Sequence, residues 1–320
     1  MPSKKRTSQK TNNANFQSST GQQSKQRLGS KTKEGRRRSE TFNKYVIAIL
    51  LLGCAVFGAA LLKILVWTED YFTEVLAHQG ETLHLKVFEV PCSEDYDNFK
   101  RFPGCTPRKC GRAVTDIVVT REEADQIRRL AERGLSLGGS DGASILDLHS
   151  GALSMGTKFV NVYRYFGDKL KDIFSETDFS LYRNIKQKIH KAVAETFDLD
   201  PSHLHLTKPT FFSKMNSSEA KRIHDEYWHP HVDKVTYGSF DYTSLLYLSD
   251  YGQDFGGGRF IFIDEGANRT VEPKFGRVSF FTSGSENVHR VEKVDWGTRY
   301  ALTVPFTCDP SQAIDEPKFP

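Results

Sequence analysis

The longest feature in the hydropathy pattern is a run of eighteen uncharged residues from Tyr45 to Leu62, YVIAILLLGCAVFGAALL. Lys63 interrupts it, and Ile64-Leu65-Val66-Trp67 extends it. A helix of about 20 such residues crosses the hydrocarbon core of a bilayer. A core helix of a globular domain shows an apolar stripe rather than apolar residues all round, and a cleaved leader has a shorter apolar core. The pattern therefore predicts one transmembrane signal-anchor, with Lys63 snorkelling and Trp67 at the far interface.

Further along, the period changes. Thr120-Arg-Glu-Glu123 reads as a capping box opening a helix with Ala124, Ile127, Leu130 and Ala131 on one face. A second helix is expected from about Ser180, where Leu181, Ile185, Ile189, Val193 and Phe197 recur at helical spacing. Beyond Pro201 come short β-rich runs at 203–206, 243–248, 259–263, 277–282, 288–291 and 299–307, separated by turns. Helices first and strands after predict an α+β fold, with supporting N-terminal helices packed on an antiparallel jelly-roll core. The chain is expected to divide into a disordered basic tail (1–44), the anchor (45–66), a stem with a Cys-containing loop (67–115), a helical support region (116–204), the β core (205–308) and a C-terminal tail (309–320).

Charge sharpens this division. The 320 residues carry a formal net charge of +4, but residues 1–44 hold twelve Lys or Arg against Glu34 and Glu40, a balance of +10. The rest has 32 basic and 38 acidic residues, a balance of −6. Basic residues on the N-terminal side of an anchor keep that side cytosolic. A single-pass type II protein with a luminal body, in the endoplasmic reticulum or Golgi, is thus expected. The anchor sets aside nuclear import as the role of Lys4-Lys5-Arg6 and Arg36-Arg37-Arg38. The tail, rich in Ser, Thr, Asn, Gln and Lys, has too little apolar surface to order. An acidic body disfavours nucleic acid, so the expected partners are the bilayer and an unknown luminal protein; oligomeric state is left open. An apolar share of 38%, with 24 glycines besides, excludes a wholly disordered, collagenous or polytopic chain.

Luminal placement has two further marks. Asn216-Ser-Ser218 and Asn268-Arg-Thr270 are acceptor triplets for N-glycosylation. Cys54 lies in the apolar run, which leaves Cys92, Cys105, Cys110 and Cys308 to form two disulfides in one of three connectivities. The expected pairing is Cys105 with Cys110 and Cys92 with Cys308. Zinc is the competing use, but no close Cys-x-x-Cys pair is present.

The densest polar cluster is Tyr227-Trp-His-Pro-His-Val-Asp233. If His231 to Asp233 is extended, both side chains face one way and supply two corners of a metal site. His289 is the only histidine after His231 and sits in a strand-like run, Val288-His-Arg-Val291. Two histidines and a carboxylate on one face of an iron leave three positions free for a cosubstrate and dioxygen. Ten residues after His289, Arg299 opens another strand; its planar fork can bind a carboxylate bidentately.

His231-x-Asp233, His289 and Arg299 in this order and spacing resemble the iron- and 2-oxoglutarate-dependent dioxygenases, in the branch similar to prolyl 4-hydroxylases. So do Leu245-Leu-Tyr-Leu-Ser-Asp250, Phe255-Gly-Gly-Gly258 and Gly276-Arg-Val-Ser-Phe-Phe281. The resemblance covers 205–307 strongly and 116–204 weakly. It implies a double-stranded β-helix with Fe(2+) on His231, Asp233 and His289, 2-oxoglutarate paired with Arg299, and L-ascorbate as reductant. It implies hydroxylation of a luminal protein, prolyl side chains among the candidates, with release of succinate and CO2. Four positions depart from the pattern: collagen-type enzymes have Lys at Arg299, Ser is common at Ala301, the strand at Lys208–Phe212 lacks tyrosine, and Trp228 replaces a tyrosine while Tyr227 adjoins it.

Other readings compete. The same fold could be a catalytically inactive binding module that keeps the metal. Asp198-Leu-Asp200 could serve a glycosyltransferase, but is expected to end the second helix. His203 and His205 are expected to be structural, His224 and His229 to flank the site, and Gly256-Gly257-Gly258 to be a turn between strands.

Overall fold

The computed structural model describes residues 29–71, 73–97, 100–139, 142–221 and 225–319. The chain forms two compact units, Met1–Glu69 and Asp70–Pro320. Helix α1 spans Gly29–Tyr71 and contains Phe42–Lys63, a stretch of mean hydropathy 2.6 with none of its surface buried. By length and composition this helix can cross a membrane. It starts well before the apolar run, so residues 29–44, expected to lack structure, are helical. Lys, Arg and Glu are good helix formers and extend a helix the apolar run already favours. The rest of the expected tail, residues 1–28, lies outside the described residues.

The second unit mixes helices and strands. Its strands are β1 (Thr73–Ala77), β2 (Lys86–Val90), β3 (Cys110–Thr115), β4 (Ser144–Leu146), β5 (Ala152–Met155), β6 (Lys158–Asn161), β7 (His205–Leu206) and β8 (Phe211–Asn216). After these come β9 (Tyr242–Tyr247), β10 (Phe255–Gly257), β11 (Phe260–Asp264), β12 (Ala267–Val271), β13 (Val278–Thr282), β14 (His289–Val291) and β15 (Val294–Thr307). The helices are α2 (Arg121–Ser136), α3 (Val162–Phe166), α4 (Glu176–Phe197) and α5 (Asp233–Tyr237). A four-stranded sheet runs β1-β12-β11-β14. An eleven-stranded sheet runs β2-β3-β13-β9-β15-β8-β4-β5-β6, with β7 and β10 also on β15.

Strand alternation shows how the layers stack. On β9, Leu245 and Tyr247 join a core with Phe260 and Phe262 of the small sheet, while Leu246 joins one with Ile127, Leu130, Ile185 and Ile189 of α2 and α4. On β13, Phe281 faces the first core and Phe280 the second; on β3, Val114 and Ala113 divide likewise. The large sheet is therefore sandwiched between helices and the small sheet. Its central strands β9 and β13 are buried on both faces, which is why apolar residues do not alternate with exposed polar ones along them.

Both expected helices form. Thr120 and Glu123 make the capping box of α2, an arrangement that stabilises a helix start by about 1 kcal/mol. Helix α4 begins earlier than expected, at Glu176, because Ser175 and Asp178 make a second capping box. The stretch expected as a stem contributes β1, β2 and β3 to the two sheets.

The disulfides correct the expected pairing: Cys92 joins Cys110, and Cys105 joins Cys308. The β2–β3 register sets Val90 opposite Cys110, which delivers Cys92 two residues later. The Cys105 carbonyl accepts from the Tyr242 hydroxyl at 2.9 Å, and Tyr242 pairs with Phe306 near the end of β15. That holds the Cys105 loop beside Cys308, whereas Cys110 is carried away on β3.

The C-terminal segment is tied to α4 by buried Lys186. Its Nζ contacts His149 Nε2 at 2.9 Å and Glu316 at 2.5 Å, while His149 Nδ1 donates to the Asp315 carbonyl at 2.9 Å. Burial, then the Lys186 charge, pushes His149 down to about 4. Unfolded histidine titrates near 6.5. Between these values the unfolded chain takes a proton that the folded chain refuses, so stability falls as pH drops through that window. The melting temperature should decline from pH 6.5 to 4, and His149→Gln should flatten the decline; equal slopes in both proteins would contradict this.

Candidate active site

A two-residue antiparallel bridge builds the site. The backbone N–H groups of His231 and His289 each donate to the other's carbonyl, at 2.9 and 3.0 Å. Side chains from distant parts of the sequence thus emerge together, ring centroids 4.3 Å apart. Phe260 stacks on His289 at 5.0 Å and Phe281 meets it edge-on at 4.9 Å.

Val232 is extended, and the chain then turns into α5, whose first residue is Asp233. The expected extended segment therefore ends one residue short of the carboxylate. The turn still aims it correctly: Oδ1 lies 3.5 Å from Nε2 of His231 and 3.7 Å from Nε2 of His289. One ligand atom from each residue lies within 4.8 Å of the others.

Neighbouring groups decide which atoms remain available. Nδ1 of His289 donates to the Asn287 carbonyl at 2.8 Å, and Nδ1 of His231 to the His229 carbonyl at 3.1 Å. Each ring then presents the Nε2 lone pair to the shared space. The other oxygen of Asp233, Oδ2, accepts from the Thr243 hydroxyl at 2.6 Å. Burial alone would raise the Asp233 carboxyl, but both imidazoles and Thr243 outweigh it and hold it below the usual carboxylate value. Burial lowers His289. At His231 burial is outweighed by Asp233, and its pKa rises.

The three residues open on a cavity of about 590 Å³ walled by Ile145, Phe159, Phe211, Met215 and Phe240. Arg299 enters the same cavity from β15 and is 1% exposed. Its Nε donates to the Gly258 carbonyl at 2.9 Å, its Nη1 faces the Met215 sulfur at 4.0 Å, and its Nη2 has no partner. Among the described residues no carboxylate pairs with it. Burial lowers its pKa, yet a guanidinium stays charged in proteins. Gly258 can present its carbonyl because it sits at φ +63°; a Cβ there would come within 2.8 Å of the Phe255 ring. A buried, unpaired charge is costly unless something negative meets it, so the cavity is built for an anion.

The other expected residues fall outside this centre. Asn216 ends β8, half-buried, and accepts from the Ser218 N–H; Asn268 is half-buried within β12. His229 pairs with Glu226 at 2.8 Å at the cavity wall, and His224 lies outside the described residues. Asp198 is a left-handed residue ending α4, and Asp200 caps the next turn, where His203 sits. Trp228 turns away under Lys293, 3.8 Å above its ring, while Tyr227 lines the cavity. The sequence reading missed Thr243, Gly258 and Asn287, which hold the site through single hydrogen bonds. It also missed Tyr247, whose ring lies 5.5 Å from the Arg299 guanidinium.

A family profile described as the 2OG-Fe(II) oxygenase superfamily matches residues 218–306. The chain is 72% identical over 251 residues to 2-oxoglutarate and iron-dependent oxygenase domain-containing protein 3 of Xenopus tropicalis, covering 78% of this chain and 79% of that protein. The chain belongs to the 2OG-Fe(II) oxygenase superfamily. The human protein of the same description is 67% identical over 268 residues, covering 82% of this chain and 84% of its own. Human prolyl 3-hydroxylase 1 is 30% identical over 226 residues, 62% of this chain but 28% of that protein. As a 2OG-Fe(II) oxygenase the chain is an oxidoreductase, a 2-oxoglutarate-dependent dioxygenase that requires Fe(2+) and 2-oxoglutarate.

Proposed function

We propose that this oxygenase hydroxylates an apolar side chain, such as prolyl, of a luminal protein, from a body held to the membrane by α1. His231, Asp233 and His289 hold the Fe(2+), and Arg299 holds the far carboxylate of 2-oxoglutarate, within a double-stranded β-helix. The observation that carries this reading is the unpaired Nη2 of a buried arginine in the cavity that also holds two Nε2 lone pairs and a carboxylate oxygen. That donor set suits Fe(2+) with open positions, and a planar guanidinium suits a carboxylate.

Bound there, Fe(2+) and 2-oxoglutarate would supply the oxidising chemistry, by which one atom of O2 would go to a substrate C–H bond and the other to the succinate formed with CO2. The chain's own residues prepare the place. Carbonyls of His229 and Asn287 favour the neutral tautomer in which Nε2 carries no proton, and Thr243 leaves Oδ1 of Asp233 free for the metal. Phe260 and Phe281 fix the His289 ring and keep water from it. The apolar walls suit a side chain without charge, and L-ascorbate would restore iron oxidised without product.

Membrane anchoring is supported by the hydropathy of α1 and the basic residues before it, and luminal placement by two disulfides. Full-length protein made in cells should lose apparent mass with an N-glycosidase, and the Asn216→Gln, Asn268→Gln double variant should not. Wild type unchanged by the enzyme would contradict luminal placement. For activity, protein in detergent and air with Fe(2+), 2-oxoglutarate, ascorbate and a library of luminal peptides should release succinate and yield a hydroxylated peptide. Metal and 2-oxoglutarate binding without succinate from any peptide would instead support a binding module.

A further inference from the structure

We propose that Arg112 and Asp264 are positioning residues for His289, acting through Asn287; the proposal rests on His289 being a metal ligand. Arg112 lies on β3 and is 2% exposed. Its Nε donates to Oδ1 of Asn287 at 2.6 Å, and Nη1 and Nη2 grip the two oxygens of Asp264 at 2.8 and 2.5 Å. Nη2 also reaches the Glu286 carbonyl at 3.2 Å. The guanidinium lies 4.2 Å over the ring of Phe262, the residue that faces His289 across β11 and β14. One side chain from a remote strand thus staples the short turn Ser285–Asn287 that delivers His289.

Asn287 is wholly buried, and the other end of its amide donates to the carbonyl and hydroxyl of Thr282 at 2.8 and 3.1 Å. Held at both ends, Asn287 cannot turn. Its main-chain carbonyl is the group that receives Nδ1–H of His289 at 2.8 Å. If that carbonyl swings away, the neutral ring is free to carry its proton on Nε2, and a protonated Nε2 offers no lone pair to a metal. Arg112 touches neither the cavity nor a ligand atom; of its contacts, the one with Asn287 leads straight to the carbonyl that His289 uses, while those with the Glu286 carbonyl and the Phe262 ring brace the same turn and strand.

The test uses the full chain in detergent, with two readouts: anaerobic Co(II) titration, and long-range 1H–15N spectra of the metal-free histidine rings. Wild-type His289 should show the Nδ1–H tautomer. Arg112→Gln should mix the tautomers and raise the Co(II) Kd about tenfold, with the number of sites per chain unchanged. Arg112→Lys keeps the charge but not the fork, and should not restore either readout. Asn287→Ala removes the clamp while keeping the carbonyl; it should behave like Arg112→Gln and replaces it if that variant does not fold. A merely structural role would reduce the number of sites and leave Kd and tautomer alone, and that result overturns the proposal. A wild type that binds no Co(II) overturns the ligand assignment instead, and the tautomer comparison then still decides the relay.

Discussion

Asp233→Asn should raise the Kd for Fe(2+) by more than about 100-fold, because replacing groups that merely orient ligands already costs about 10–100-fold. Asn has nearly the same shape, and its amide can keep a hydrogen bond with Thr243, so the fold should survive. What is lost is the charge that faces both Nε2 atoms. Two outcomes follow together. Succinate release disappears, and added Mn(II) no longer raises the melting temperature, because a ligand stabilises only the state that binds it. A variant still stabilised by Mn(II) as strongly as wild type would place the metal elsewhere.

Arg299→Met should produce a different failure. Metal binding should remain, while the KM for 2-oxoglutarate rises by about 100-fold, the loss of one or two charge-assisted hydrogen bonds at about 1.5–3 kcal/mol each. In the same variant the melting temperature without ligands should hold or increase, because an uncompensated buried charge has been replaced by an apolar chain of similar length. Arg299→Lys should recover part of the cosubstrate affinity, since the charge returns without the fork. Titrations with 2-oxoglutarate and melting curves of the metal-bound and metal-free proteins measure both halves. A variant that loses the metal, or that keeps wild-type KM, would remove Arg299 from the cosubstrate site.

The sequence made the candidate ligand set legible because chemistry restricts residue types, and the structure brings His231, Asp233 and His289 together. Downstream of His231 the only further histidine is His289, and Arg299 follows it by ten residues, the spacing of the family it resembles. Helix starts were legible where a capping box was written in local residues, as at Thr120. The small sheet's β12 and the early strands β1 to β3 were not, because short strands without clear alternation carry little signal. Disulfide connectivity was illegible for a related reason: Cys105 and Cys308 stand 203 positions apart and meet only once the chain between them is folded. The supports were hidden most deeply. Gly258 and Asn287 meet Arg299 and His289 through main-chain carbonyls, which every residue has, so the contact itself leaves no mark in the sequence.

The most direct measurement is a crystal structure of the protein grown without oxygen in the presence of Mn(II) and N-oxalylglycine, an unreactive analogue of 2-oxoglutarate. The anomalous peak should fall between Nε2 of His231, Nε2 of His289 and Oδ1 of Asp233, with the far carboxylate of the analogue on the Arg299 guanidinium. A peak at any other group of residues, or an analogue carboxylate bound away from Arg299, would contradict the proposed centre.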